Sequence, residues 1–248
     1  MEPPLFFAAP DRIRNDRIDL PTTEAHHALQ VMRLRSGSPV VVIDGVGNAY
    51  KGELAVSKSK SAEVLVHSIH RNYGEPSVRL TLAAGLSTGY KFDDVVEKGT
   101  ELGVKRFVPL ISEKSKVKVE SGEKAKSKTA RLEKVALAAI KQCRRAYLPE
   151  ISHPTDFKSF MGETDRESLN LIFVTTLGAE SIDRIEIDDH VNRVTVLVGP
   201  ESGFTPAEVQ QAIERGYKPV SMGKRILRTE TAGPVSVALV MIRIGELR

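Results

Sequence analysis

Twice near its C-terminus this chain carries a short apolar run into a glycine and from there straight into a helical pattern. The first instance is VLVGPESGFTPAEV, from Val196 to Val209, and the second is MGKRILRTETAGP, from Met222 to Pro234. Two strand–glycine–helix junctions of this kind place two loops side by side at the carboxyl edge of a sheet, where open α/β sheets bind their ligands. The rest of the C-terminal two-thirds follows the same rule. Val78–Ala84, Arg106–Ile111, Leu169–Thr175 and Val194–Val198 read as strands, while Phe92–Leu102, stopped by Gly103, and Ala130–Arg145 read as helices. Such alternation predicts an α/β fold, a mostly parallel sheet with helices on both faces.

The loop residues narrow the chemistry. Thr205, Pro206 and Glu208 form a capping box, with threonine at the N-cap, proline at the first helical position and glutamate at the third, so a helix starts there. Gly199 and Gly203 bracket the preceding turn and leave its amides and carbonyls open to a planar group. Behind Gly223 the second loop carries Lys224, Arg225, Arg228 and Glu230, and Thr231–Leu247 reads as an apolar, buried helix. Neither loop is a dinucleotide fingerprint, since Gly-x-Gly-x-x-Gly is missing, and neither is a phosphate loop. GLSTGYK, Gly85 to Lys91, comes nearest to one, but Tyr90 stands between glycine and lysine and no Ser or Thr follows.

The first 71 residues are patterned differently. Pro39–Asp44, Asn48–Val56 and Ala62–Ile69 read as strands between Ser, Gly and Lys clusters, with Thr23–Arg33 as the one helix. This pattern predicts a small β-barrel. The turn-rich Asn-Tyr-Gly-Glu-Pro at 72–76 divides the chain into residues 1–72 and 73–248.

Composition excludes several classes. With 41% hydrophobic residues and mixed charge among 248, the chain reads as globular. It lacks both the ~20-residue apolar run of a membrane span and, in MEPPLFF, the basic and apolar regions of a signal peptide, so a cytoplasmic location is expected. Cys143 is alone and cannot form an internal disulfide, and the six histidines show no zinc-like spacing, so no metal is predicted. Net charge is only +4, but Lys114, Lys116, Lys118, Lys124, Lys126, Lys128, Arg131 and Lys134 crowd one stretch, followed by Lys141, Arg144 and Arg145. Such a run is either a solvated helix face or a phosphate-binding surface. Glu97 and Glu101, one helical turn apart, have lysine partners at Lys98 and Lys105 and read as structural.

GPESGF with its capping box, followed by GKRILRTETA, resembles the trefoil-knotted SPOUT methyltransferases, and within them the enzymes that methylate N3 of a uridine in the decoding region of bacterial 16S rRNA. EKGTELGV from Glu97 to Val104, Lys141–Arg145 leading into Leu148-Pro149-Glu150, and HALQVMRLRSG from His27 to Gly37 fit the same family in its order, so the likeness covers nearly the whole chain. It implies a PUA-like RNA-binding barrel before the knotted domain, S-adenosylmethionine as cofactor, 16S rRNA within the small ribosomal subunit as partner, and a homodimer held partly by the last helix. Cofactor contacts are then expected at Thr175, Leu177, Val198, Gly199, Pro200, Glu201, Gly203, Met222, Gly223, Ile226, Leu227 and Thr229. RNA contacts are expected at Arg12, His27, Arg33, Arg35, Lys114, Lys124, Lys126, Lys128, Arg144 and Arg145. For His27, packing of its helix on the barrel is an equal alternative.

The chain departs from the family at two points. Ser202 replaces the first of the family's paired glycines, and Leu5 stands where an arginine usually precedes the aromatic pair Phe6-Phe7, leaving Arg12 or Arg14 to supply that contact. The catalytic expectation rests on Arg228 and Glu230. Methylating a uridine nitrogen requires its proton to leave and charge to spread onto both neighbouring carbonyl oxygens. A guanidinium stabilises that charge, and a carboxylate accepts the proton or holds the arginine. Ribose 2'-O-methylation on the same fold and an inactive RNA-binding relative are the competing functions.

Overall fold

A computed structural model describes residues 2–57, 61–87, 89–117, 122–175, 178–188 and 190–247. The chain divides into two compact units, residues 1–75 with 140–148, and residues 76–139 with 149–248.

The N-terminal unit is a six-stranded curled sheet. Its strands are β1 (Leu5–Phe7), β2 (Ile13–Arg14), β3 (Arg17–Asp19), β4 (Pro39–Ile43), β5 (Asn48–Val56) and β6 (Ala62–Arg71), in the order β1-β4-β5-β6-β3-β2. Period-2 alternation sends Val40, Val42, Leu54, Ala62 and Val64 to one face, where they meet Phe6, Ile18 and Leu20. Helix α1 (Thr22–His26) continues into a π-helical turn at His27–Val31 and closes that core with Ala25 and Ala28. The expected single helix is thus two short pieces.

Residues 140–148 complete this unit. Arg145 is only 3% exposed and donates two hydrogen bonds to the Glu75 carboxylate, which also accepts from the Tyr147 amide. Lys141 pairs with Glu24 at 2.5 Å, and the Leu148 amide donates to the Gly45 carbonyl.

The C-terminal unit is the predicted α/β sheet. It contains β7 (Arg79–Gly85), α2 (Lys91–Glu101), β8 (Arg106–Ile111), α3 (Glu123–Cys143, whose last residues belong to the first unit), β9 (Glu150–Ile151), β10 (Thr155–Asp156), α4 (Phe157–Gly162), β11 (Leu169–Phe173), β12 (Glu180–Ser181), β13 (Arg193–Val198), α5 (Pro206–Glu214), β14 (Lys218–Ser221) and α6 (Thr229–Arg243). All strand pairs are parallel, in the order β10-β8-β7-β13-β11-β14-β12 with β9 beside β8. Ala83, Val108, Ile172 and Leu197 face α4 and α5 through Phe157, Phe160, Met161 and Phe204. Alternate residues face the other way, where Leu82 and Val95 of α2 lie beside Gly233 of α6.

β13 lies between β7 and β11, and β14 lies beyond β11. After β14 the chain therefore passes back across the central strands before α6 packs on α2, β7 and β13. That return brings the two glycine loops together. α6 buries Thr229, Ala232, Gly233, Ser236, Val237, Val240 and Met241, a stripe of helical period, and leaves Ile242 56% exposed.

Candidate active site

One loop follows the central strand β13 and the other follows β14, two strands away across β11. After β13 the chain turns at Pro200–Gly203, where the Gly203 amide donates to the Pro200 carbonyl at 2.8 Å. Gly203 has φ +68° and Gly223 +114°, the left-handed region that favours glycine, whereas Ser202 has no positive φ, so its departure from the paired-glycine pattern is tolerated. The capping box forms as predicted. The Thr205 hydroxyl accepts from the Glu208 amide at 3.2 Å, and Glu208 accepts from the Thr205 amide at 2.8 Å. Glu208 also accepts from the Glu113 amide at 2.8 Å, and Lys114 donates to the Phe204 carbonyl at 3.3 Å, which ties the loop after β8 to the start of α5.

The two loops enclose a cavity of about 530 Å³. Thr175, Val198, Gly199, Pro200, Glu201, Gly203, Met222, Gly223, Ile226 and Leu227 line it, ten of the residues expected to contact a cofactor. Thr229 lies just behind, buried, and its hydroxyl donates to the Gly199 carbonyl at 3.3 Å, linking one loop to the other. Leu177, like Lys118 of the basic run, falls outside the described residues. Phe173, Phe204, Val209 and Gln210 also line it, as does the charged Arg225. The site's volume, its apolar sides and its rim of backbone amides and carbonyls suit a flat, nucleoside-sized ligand.

Sequence reasoning missed Gly85. A Cβ there would lie 2.2 Å from the Pro200 nitrogen and 2.7 Å from the Gly199 carbonyl carbon, so the end of β7 can press against the loop after β13 only without a side chain. The signal was a glycine ending a strand of apolar residues.

Beside the cavity, and sharing Glu201, Ile226 and Leu227 with it, is a cleft of about 400 Å³ bounded by Lys91 and Arg228. Lys91 pairs with Glu201, and this hydrogen bond, then the lysine's charge, hold the Glu201 carboxyl below its ordinary value. Arg228 occupies the N-cap of α6 with its side chain 78% exposed. Glu230, in the first turn, is 17% exposed and stands 4.0 Å from the guanidinium, and its Oε2 is buried without a hydrogen-bond partner among the described residues. The two meet at the limit of an ion pair, so neither is consumed by the other.

The residues expected to touch RNA part company. Arg12, His27, Arg33 and Arg35 are exposed on the N-terminal unit, with the His27 ring edge-on to Phe6 at 6.4 Å. Lys124 and Lys126 are exposed on α3, and Lys128 is half-buried. Lys114 lines the cavity. Arg144 binds Glu2 at 2.9 Å and the Pro3 carbonyl at 3.1 Å. Arg145 is a correction: buried against Glu75, it has no surface to offer a phosphate. Lys98 bridges Glu97 and Glu101, the expected structural pairing. No group of three His, Cys, Asp or Glu side chains that could hold a metal occurs among the described residues.

The family model of the RNA methyltransferase domain matches residues 74–241, and that of the RNA methyltransferase PUA domain matches residues 20–66. Ribosomal RNA small subunit methyltransferase E of Synechocystis sp. is 31% identical over 93% of this chain and 74% of that protein. The protein of the same name from Bacillus subtilis is 30% identical over 91% of this chain and 90% of its own. Among solved structures, the ribosomal RNA small subunit methyltransferase E of Neisseria gonorrhoeae bound to S-adenosyl methionine aligns with a TM-score of 0.85 at 28% identity, over 98% of both chains. The expected architecture, a parallel-sheet α/β methyltransferase domain with a PUA-like domain before it, is borne out.

Proposed function

The chain belongs to the RNA methyltransferase family, and on that premise we propose that it moves a methyl group from S-adenosylmethionine to N3 of a uridine in the decoding region of 16S rRNA, uracil 1498 in the family's numbering. The observation that carries this reading is the shared wall: a backbone-rimmed cavity of cofactor size opens beside a charged cleft at Arg228.

When bound, the cofactor supplies a methyl group on a positively charged sulfur. The Gly199–Gly203 and Met222–Leu227 loops would hold it, with Thr229 fixing one loop to the other. Arg228 faces the uracil carbonyl oxygens and stabilises the charge they gain when N3 loses its proton. Glu230, whose Oε1 stands 4.0 Å from the Arg228 guanidinium, receives the proton or steers the arginine. Removing the N3 proton is the harder task, and Arg228 and Glu230 are the groups that would ease it.

The N-terminal barrel and the lysines of α3 would bind the rRNA backbone within the small subunit. The protein would act as a homodimer through the α6 surface that exposes Ile242. No helix of the structure, among the described residues, is long and apolar enough to cross a membrane, and we place the reaction in the cytoplasm. Nucleosides from small-subunit rRNA of cells with and without the protein test the reading. Loss of 3-methyluridine alone supports it, loss of a ribose-methylated nucleoside replaces it with 2'-O-methylation, and no change leaves an RNA-binding protein.

A further inference from the structure

Tyr90 is 75% exposed at the start of α2, immediately before Lys91 of the cleft. Large aromatic surface left in water is costly, and this ring is not simply loose. The Arg131 guanidinium of α3 lies over one face, 4.6 Å from the ring centroid, and is itself fixed by Asp93 at 2.9 Å. An ion pair thus clamps a cation on a ring. Lys128 adds charge close to Asp93. The motif GLSTGYK, useless as a phosphate loop, places this aromatic next to Lys91 of the cleft.

An enzyme that methylates a base at its pairing edge must first take that base out of its stack, and the neighbouring bases lose their partner. A fixed aromatic ring backed by arginine restores a stacking surface, and it does so without sequence preference because every base has a π-face. We propose that Tyr90, braced by Arg131, is the stacking platform for the nucleobase next to the target uridine. The inference rests on the reading of the Lys91–Arg228 cleft as the uridine site.

The chain contains no tryptophan, so Tyr90→Trp creates a single reporter at the platform. Its emission should be quenched by an RNA oligonucleotide carrying the target loop, and quenching should vanish when the flanking nucleotide is abasic. In methylation assays Tyr90→Ala should raise KM for RNA about ten- to a hundredfold, the scale of one lost base–aromatic stack, while leaving cofactor affinity unchanged. Tyr90→Phe should restore the KM. On the abasic RNA, wild type and Tyr90→Ala should become equal. If the wild type methylates the RNA while Tyr90→Ala keeps its KM, or the Tyr90→Trp emission ignores saturating RNA, the platform is wrong and the assigned reaction stands. If the wild type does not methylate uridine N3 in any such RNA, the assigned reaction fails and the platform with it.

Discussion

The cavity and the cleft share a wall but are built by opposite means. The cavity is made by backbone: its decisive positions are Gly85, Gly199, Gly203 and Gly223, and what matters there is the absence of a side chain. The cleft is made by side chains from three separate segments, Lys91 on α2, Glu201 after β13 and Arg228 before α6. A backbone-built site fails when a Cβ is added, and a side-chain-built site fails when a functional group is removed. Binding and chemistry should therefore be separable by mutation.

The sharpest break is Gly85→Val. Its Cβ would meet the backbone of Pro200, which cannot swing aside as a side chain can, so the Gly199–Gly203 loop must move. Calorimetry should find S-adenosylmethionine binding abolished while the circular dichroism spectrum is kept. Next comes Arg228→Ala, which should cut single-turnover methylation by about a hundredfold, the loss of one charge-stabilising donor, with cofactor affinity unchanged. Glu230→Gln should also be slow, and it should regain part of its rate as pH rises and the uridine ionises unaided. If Arg228→Ala weakened cofactor binding as much as turnover, cavity and cleft would be one site.

Gly203→Val should be milder than Gly85→Val. No atom lies within 4 Å of its Cβ position, so only the left-handed backbone is strained, by ~1–2 kcal/mol, and affinity should fall about tenfold. Smaller again is the effect of acid on the Lys91–Glu201 bridge. A carboxyl held below its ordinary value contributes above that value and loses its contribution as pH falls through the depressed one. Cofactor affinity should thus be flat between about pH 6 and 8.

The same division explains what could be read from the sequence. The junction at Thr205 was legible because the capping box is local, and β5 and β8 were legible to the residue because their alternation or apolar run ends at clear turns. Ten residues of the cavity wall could be named because the family resemblance carries them by position, and the two glycine loops it marks do meet at one sheet edge. The return of the chain after β14 across the central strands could not be read, since periodicity carries no information on the path between elements. Nor could Lys91, whose partner Glu201 is 110 positions away.

Charge runs show the same limit. Lys124 and Lys126 stand in solvent, while Arg145 twenty residues later is buried on Glu75, and composition alone treats them alike. Reversing Lys124, Lys126 and Lys128 together should flatten the salt dependence of RNA binding. Arg145→Ala should leave that slope alone and lower the melting temperature instead, because it strands a buried carboxylate.

The central claim is methyl transfer to a base nitrogen, and the most direct test follows the methyl group itself. Purified protein, small-subunit rRNA and S-adenosylmethionine with a deuterated methyl can be combined, and the digested RNA fragmented by mass spectrometry. Label on the uracil ring, as 3-methyluridine and at a single nucleotide, is the predicted result. Label on a ribose, or none in the RNA, would contradict it.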